Sequence, residues 1–385
     1  MSLPDVSSPS VVLLQANPQQ QQSSWRANQT AWAPSLTIQQ HIERETYFLD
    51  APLNRNGGLT PWILSDTSLP EADRPLLSSL ETIRKPAIYR DPKDGLVKDV
   101  TSYGVASVFT LKEYRGRGYA SKLVEQTGSE LASRQAASPG AAQFSFLYSD
   151  IGPKFYAKNG WIARGNTQLG FKTNTDTEFI VNPNVKDVTD DMLPGLTARD
   201  EQLLRAFIAQ PCSKVRAAVL PTMDVFNWQY YREDYIYSHI HGRKPTVRGA
   251  IYTSPTNPEV RVWALWKRTR YDGDNDDGVH VCFDVLDFLH LVVDDENGAL
   301  SDNELADALK GIFAVANREA KDWGCKSYDT WNPSDRIRKV IEERLPELGA
   351  EFVQRDIHEL ASIRWFGDEA DEDVEWVANE KYCWC

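Results

Sequence analysis

Six consecutive residues carry the most specific chemical signal in the chain: Arg115-Gly116-Arg117-Gly118-Tyr119-Ala120. An apolar, β-branched run ends just upstream at Thr110, and the six residues open a helical pattern with Leu123, Val124 and Leu131 on one side. A strand, a glycine turn and a helix in that order aim backbone N–H groups outward at a helix N-terminus, where the partial positive charge attracts an anion such as a pyrophosphate. Gly116 and Gly118 remove the side chains that would hold a phosphate away from the backbone. Two other phosphate loops do not fit. The Gly-Lys-Ser/Thr ending of a P-loop is absent, and Ser121 stands where G-x-G-x-x-G needs its third glycine.

A second group lies in Phe226–Ile240, which is rich in Trp and Tyr. Trp228, Tyr231, Arg232 and Tyr235 fall at i, i+3, i+4 and i+7, the stripe of one helix face. Arg232 and Glu233 sit among these aromatics, and charges placed there need partners. Arg232 could grip a carboxylate with two parallel hydrogen bonds, and Glu233 could hold an ammonium. Together these are the opposite requirements of a zwitterionic amino acid. Two further clusters carry less. Asp272–Gly278 begins like a calcium loop, but the twelfth position is Phe283 where a bidentate Glu is required, so it reads as a hairpin loop. His239 and His241 would share one side of a strand without a carboxylate or thiol set to complete a metal site, so no metal is expected.

Composition bounds what these groups can be part of. A chain of 385 residues has room for two or three cores. The hydrophobic fraction of 41% and charged fraction of 25% are those of a soluble globular protein, and no apolar run reaches membrane-spanning length. There is no secretory signal pattern. Five cysteines without a C-x-x-C pair suit a reduced, cytoplasmic setting. The net charge of −13 argues against nucleic-acid binding and is compatible with a cationic partner. Asp368–Glu375 reads as a solvated acidic loop.

The elements that must position these residues follow from the pattern. Residues 1–10 are Pro/Ser-rich and expected to be mobile. Val11–Leu14 is a first strand, a helix starts in the Gln19–Gln22 run, and Trp62–Leu64 and Thr82–Tyr89 are strands, with Pro86 marking a bulge or an edge. Ala142–Asp150 alternates as a strand. Ile151–Trp161 then makes one short helix, with Pro153 in its first turn and Asn159-Gly160 as its stop. Residues 185–215 read as one or two helices. Strands at Val247–Tyr252, Arg261–Lys267 and Leu289–Asp294, a long amphipathic helix over Asp302–Trp323, and a strand at Ser327–Asn332 suggest a second, degenerate copy of the first α/β layer, without a glycine loop of its own.

The R-x-x-G-x-A spacing of Arg115, Gly118 and Ala120 resembles the acyl-CoA pyrophosphate loop of the GNAT N-acetyltransferase superfamily. Tyr156-Ala157-Lys158-Asn159-Gly160-Trp161 is similar to the Tyr-x-x-x-Gly-aromatic end of that family's short helix. The resemblance implies an α/β fold with a mixed sheet, whose fourth and fifth strands splay around the pantetheine of acetyl-CoA. It places Val108, Phe109 and Thr110 along the pantetheine through main-chain groups, with Arg115, Gly116, Arg117, Gly118, Tyr119 and Ala120 at the pyrophosphate. It also implies that Tyr156 protonates the leaving CoA thiolate. The Ser79–Thr82 stretch, the FNWQYYRED segment around Arg232 and the NEKYCWC terminus resemble the fungal lysine N6-acetyltransferases of lysine catabolism. One departure is Leu111-Lys112, where relatives carry prolines.

The expectation is therefore a GNAT catalytic domain over residues 1–185 and a C-terminal α/β domain over 186–385 that completes a pocket for a small-molecule amine, L-lysine, bound by Trp228, Arg232 and Glu233. The aromatic terminus should be docked rather than frayed, which would bring the Cys385 carboxylate to the amine as a base. Transfer is expected to be direct, because no cysteine lies near the loop to act as a nucleophile. The rival readings are an acetyltransferase for protein, peptide or other small-molecule amines and a non-catalytic acyl-CoA sensor.

Overall fold

The computed structural model describes residues 3–134, 142–174, 182–274 and 278–385. Two twisted sheets make up the scaffold. The first begins with β1 (Val11–Gln15), β2 (Leu59–Asp66), β3 (Ser78–Arg90) and β4 (Val97–Phe109), each antiparallel to its neighbour, and β5 (Ala142–Ser149) runs parallel to β4. Between β1 and β2 come α1 (Pro18–Trp32) and α2 (Ile38–Phe48). Both start with reciprocal side-chain caps, Asn17 with Gln20 and Thr37 with Gln40, which satisfy the first free N–H groups of each helix. The crossover from β4 to β5 is α3 (Tyr119–Ser133), and β5 leads through the one-turn α4 (Lys154–Ala157) to the two-residue β6 (Ile162–Ala163).

The second sheet repeats this plan. Its core is β10 (Gly249–Thr253), β11 (Arg261–Asp274) and β12 (His280–Asp294), antiparallel in turn, with α7 (Asp302–Asp322) crossing to β13 (Ser327–Trp331), which lies parallel to β12. Three antiparallel strands, a helix and a strand parallel to the third thus occur twice, which is the degenerate copy expected from the pattern. β7 (Thr167–Lys172), β8 (Val185–Val188) and β14 (Glu351–Gln354) complete seven strands in the order β14-β7-β13-β12-β11-β10-β8. α8 (Asp335–Arg344) packs against α7.

The chain passes between the sheets more than once. β9 (Val215–Val219) pairs with β3, β15 (Leu360–Trp365) pairs with β5 and β6, and β16 (Val374–Trp376) pairs with β9. The first sheet therefore takes three strands from beyond residue 186, and the second takes β7 from before it. Two helices from the stretch between β8 and β10, α5 (Leu193–Ala209) and α6 (Met223–His241), fill the space where the sheets face each other. Among the described residues, no helix is long and apolar enough to cross a membrane.

Three sequence expectations change. Residues 3–10 are packed rather than loose: Leu3 and Val6 join an apolar cluster, and Lys122 donates to the carbonyls of Val6 and Ser8. Pro86 makes no bulge. β3 changes neighbour there, pairing with β2 up to Ile83 and with β9 from Ala87, and the proline nitrogen faces the seam where no acceptor needs a hydrogen. His239 and His241 lie in the last turn of α6, stacked on Tyr235 and Tyr237, and not on a strand. The hairpin reading of Asp272–Gly278 falls partly on residues 275–277, outside the described residues; Asp272 itself is a β11 residue.

The core between the sheets includes the end of the chain. Tyr382 is fully buried, stacks on Phe226 with ring centroids 5.6 Å apart, and donates its hydroxyl to the Val219 carbonyl at 2.8 Å. Tyr382→Ala is expected to cost about 3–5 kcal/mol and lower the melting temperature, the penalty of a core aromatic rather than of a terminal residue. Thermal or urea unfolding checks this.

Candidate active site

The site arises where two parallel strands part. Thr101–Gly104 of β4 pair with Ala142–Phe146 of β5, and the pairing stops there. Beyond Gly104, β4 stays paired with β3 while β5 continues along β15, so the side of Val105–Phe109 facing β5 has no strand partner among the described residues. A cavity of about 500 Å³ fills this fork. Its walls are Val105–Thr110 on one side, Leu147, Tyr148 and Tyr156 on the other, and α1, α2 and α6 above. β4 is bulged inside the fork. Ser79 pairs with Phe109 and Glu81 with Ala106, leaving one extra residue on β4, and Ser107 takes a φ of +54°. A bulge re-aims main-chain groups, here toward the cavity.

The glycine turn sits at the mouth. Gly116 and Gly118 have φ of +78° and +86°, a left-handed conformation that side chains disfavour, and Gly118 caps α3. Arg115 and Ala120 line the cavity, and Arg115 Nε donates to the Thr110 carbonyl at 3.0 Å, tying the turn to the end of β4. The Leu111-Lys112 departure is accommodated by a single 3-10 turn at Lys112–Tyr114. Tyr119 contributes to this turn only through its main chain. Its ring is buried and its hydroxyl donates to the Pro4 carbonyl. Tyr156 is buried on α4 and lines the cavity, and burial, with Asp150 nearby, raises its pKa so that the phenol stays protonated.

The chain terminus closes the inner end of the fork. Cys385 lies on Gly104: a Cβ at that position would stand 2.8 Å from the Cys385 sulfur. The tail is held by a buried ammonium. Lys85 Nζ donates to the carbonyls of Cys383 at 2.8 Å and Trp384 at 3.0 Å, and Gln229 Nε2 donates to Trp384 at 2.8 Å. Lys85 has no carboxylate within ion-pair distance among the described residues, and burial lowers its pKa. The faces of Trp228 and Phe146, 5.2 and 5.6 Å away, supply the rest of its environment. A second clamp holds the tail from the other side: His290 lies between Asp200 and Glu380, 2.7 and 3.1 Å from their oxygens.

The two charged residues expected to bind substrate part company. Arg232 and Trp228 line the cavity. No ion pair of the Arg232 guanidinium occurs among the described residues, and it lies over the Trp384 ring at 5.2 Å. Burial and then Arg44 lower its pKa to about 10, which still leaves it charged at neutral pH. Glu233 points the other way, because adjacent helix residues are about 100° apart. Its carboxylate is fully buried, accepts from Arg248 at 2.8 Å, from Arg268 at 3.0 Å and from the Arg268 main-chain N–H at 2.7 Å. Glu233 therefore holds α6 to β11 and does not face the cavity.

Side chains that motif reading passed over complete the cavity. Glu81, Ile83 and Lys85 alternate on one face of β3, so Glu81 faces the fork as Lys85 faces the tail. Trp25 Nε1 donates to Glu81 Oε1 at 3.1 Å. Burial, then the nearby Glu45 carboxylate, raises Glu81 to a pKa of about 7. For Glu45 itself burial acts upward, but the paired Arg44 guanidinium, with Arg232 contributing less, outweighs it and holds its pKa below the usual range. His41 is buried, its pKa is lowered by burial and then by Arg44 to about 4, and it is neutral: Nδ1 accepts from Arg44 and Nε2 donates to Asn28. The one signal available in the sequence was a glutamate at an inward position of a buried strand, which calls for a reason.

Residues 170–385 match the family described as the LYC1 GNAT-like C-terminal domain. Over 157 residues the chain is 29% identical to a Yarrowia lipolytica protein named lysine acetyltransferase, a match spanning 37% of this chain and 38% of that one. A probable N-acyltransferase of Enterococcus faecalis superposes with a TM-score of 0.53 at 14% identity, covering 92% of this chain and 72% of the other. Saccharomyces cerevisiae N-myristoyltransferase with bound myristoyl-CoA superposes with a TM-score of 0.53 at 9% identity, over 94% and 80%. At such identities the structural likeness concerns the fold.

The different surroundings of Arg232 and Glu233 are separable by mutation. Glu233→Gln should destabilise the fold by about 3–5 kcal/mol, since Arg248 and Arg268 lose a buried counter-charge, while ligand affinity of the folded fraction is unchanged. Paired unfolding and binding measurements read this out.

Proposed function

We propose, from the premise that this chain belongs to the family of the LYC1 GNAT-like C-terminal domain, that it is an N-acetyltransferase which moves the acetyl group of acetyl-CoA to the ε-amine of free L-lysine. The observation that carries the acceptor is the Arg232 guanidinium, facing the cavity without an ion pair among the described residues, beside the rings of Trp228 and Trp384. An unpaired cation in a partly closed apolar cavity is a seat for a carboxylate, which free lysine brings and an internal lysine of a protein does not. The name of the Yarrowia lipolytica relative supports the same acceptor, and the acyl-CoA held by the yeast myristoyltransferase supports the donor.

In this reading residues 1–185 hold the cofactor and residues 186–385 complete the acceptor pocket. The pantetheine lies along the open side of Val108, Phe109 and Thr110, paired with main-chain groups as an added strand would be. The N–H groups from Arg115 to Ala120 hold the pyrophosphate. The lysine carboxylate rests on Arg232, and its side chain runs past Trp228 toward the bulge of β4. The neutral amine attacks the thioester carbonyl, whose developing negative charge is met by a β4 N–H. The Tyr156 hydroxyl donates to the departing sulfur. The ε-ammonium has no lone pair and an ordinary pKa near 10.4, so a cavity carboxylate must first take its proton. Glu45, Glu81, Asp150 and the terminal residue Cys385 all line the cavity.

CoA release from acetyl-CoA should be supported by L-lysine and much less by D-lysine, ornithine, a polyamine or a lysine-containing peptide. Arg232→Met should raise KM for L-lysine roughly 10–100-fold with a smaller effect on KM for acetyl-CoA. Turnover with the peptide alone would overturn the free-lysine reading, and tight acetyl-CoA binding without turnover of any amine would favour a sensor.

A further inference from the structure

Resting on the acyl-transfer reading above, we propose that Glu81, and not the chain terminus, is the catalytic base that accepts the proton of the substrate ammonium. The first argument is register. Glu81 pairs with Ala106, immediately before the bulge at Ser107, whereas Cys385 lies against Gly104, which pairs with Ile83. The Cys385 side chain thus sits about one same-face step, roughly 7 Å, further along β3 than Glu81. A thioester carbonyl placed at the bulge has Glu81 on the adjoining strand, with its side chain on the cavity face.

The second argument is the way the carboxylate is held. The carboxylate is surrounded by neutral donors, the Trp25 indole of α1 at 3.1 Å with the Ser107 and Gln21 side chains beside it, and Glu81 lines the cavity. A base held by neutral donors keeps more of its basicity than one clamped by a cation. Glu45 on α2 shows the contrast, because its proton affinity is consumed by Arg44 at ion-pair distance. The other charged or titratable groups around Glu81 act consistently. Glu45 repels the second negative charge, Arg232 of α6 lies beyond ion-pair distance, His41 is neutral, and Asp150 stands across the fork at the mouth, bonded to the Glu359 N–H. The resulting pKa of about 7 makes Glu81 half ionised at neutral pH, where a base for a lysine ammonium is most effective.

The step balances as follows. Glu81 takes one N–H proton from the ammonium and later passes it to solvent. The freed nitrogen lone pair forms the C–N bond, the C–S bond breaks, and its electron pair leaves on sulfur. Tyr156 supplies the proton that converts this thiolate to thiol, and the second N–H proton lost on amide formation restores the phenol. The products are the amide, free CoA and one released proton.

The test compares the pH dependence of kcat/KM for the wild-type chain, Glu81→Gln and a chain lacking Cys385, with L-lysine as the amine. The wild type should rise with an apparent pKa near 7. Glu81→Gln, which is isosteric and keeps the Trp25 acceptor, should lose that limb, fall about 10²–10⁴-fold at pH 7, recover as pH approaches the pKa of the free amine, and keep its KM for acetyl-CoA. The Cys385 deletion should retain the limb. A limb that survives in Glu81→Gln but disappears on deleting Cys385 would overturn the proposal. So would a rise in KM for lysine at unchanged kcat and pH profile, since Glu81 would then only bind. If the wild type turns over no lysine, the acceptor reading fails separately. Glu81 is then judged by its own titration, followed by the carbon-13 shift of its labelled carboxyl and assigned with Glu81→Gln: a midpoint near 7 upholds it, and an ordinary midpoint near 4.3 overturns it.

Discussion

A single buried ammonium sets the geometry of this molecule. Lys85 projects from the middle of β3 into the space between the sheets, and its charge is answered by the carbonyls of Cys383 and Trp384 and by two aromatic faces. Neither carbonyl is available until the whole chain has folded back on the first sheet. The energetic consequence is mutual dependence: without the tail, a desolvated cation would have no acceptors, and without the cation, the Cys383 carbonyl would lose this donor. The terminus therefore behaves as core, and the fork between β4 and β5 acquires a closed inner end.

Closing the fork in this way fixes what the cavity can hold. The same tail residue, Trp384, lies beneath Arg232 and Lys267 and edge-on to Trp228, so the wall around Arg232 is built from the last residues of the chain and a helix of the second half. Burial lowers Lys267 to about 7, and its Nζ donates to Gln229, which in turn donates to Trp384. The polar groups behind the tail thus form a chain of donors ending at the same carbonyl that Lys85 holds. The cavity takes Val105–Thr110 and Tyr156 from the first half and Trp228, Arg232 and Trp384 from the second, so both halves of the chain build it.

Charge placement on α6 shows how finely the interior sorts its ions. Glu233, Arg248, Arg268 and Glu319 neutralise one another in a dry network that joins α6, β11 and α7. One residue earlier in sequence, Arg232 has no such counter-ion among the described residues and faces space instead. A buried ion with full pairing supports the fold, and one facing a cavity without pairing is a demand left for a ligand to meet. The carboxylates on the opposite wall differ by the same rule: Glu45 is paired with a cation and held ionised, while Glu81 has neutral donors and burial raises its pKa.

Local chemistry was legible in the order of residues. The turn at Arg115–Ala120 declared itself because only glycine enters a left-handed turn freely at Gly116 and Gly118, and its pairing with Tyr156-x-x-x-Gly160-Trp161 was a matter of spacing. The strands and long helices followed from periodicity, and so did the repeated layer, because strand–helix order is written along the chain. The docked terminus was legible too, from its density of Trp, Tyr and Cys. What the order of residues left open was direction and company. Arg232 and Glu233 are neighbours in sequence with equal claims on a ligand, and only the packing of α6 against β11 turns one inward and the other to the cavity. Glu81 and Lys85 looked like ordinary members of a strand until folding buried them, because a carboxylate or ammonium takes its pKa from desolvation and from charges contributed by distant segments. The physical reason is common to both cases: pattern depends on neighbours along the chain, whereas the electrostatic character of a group depends on neighbours in space, which here come from α1, α2, α6 and the last three residues.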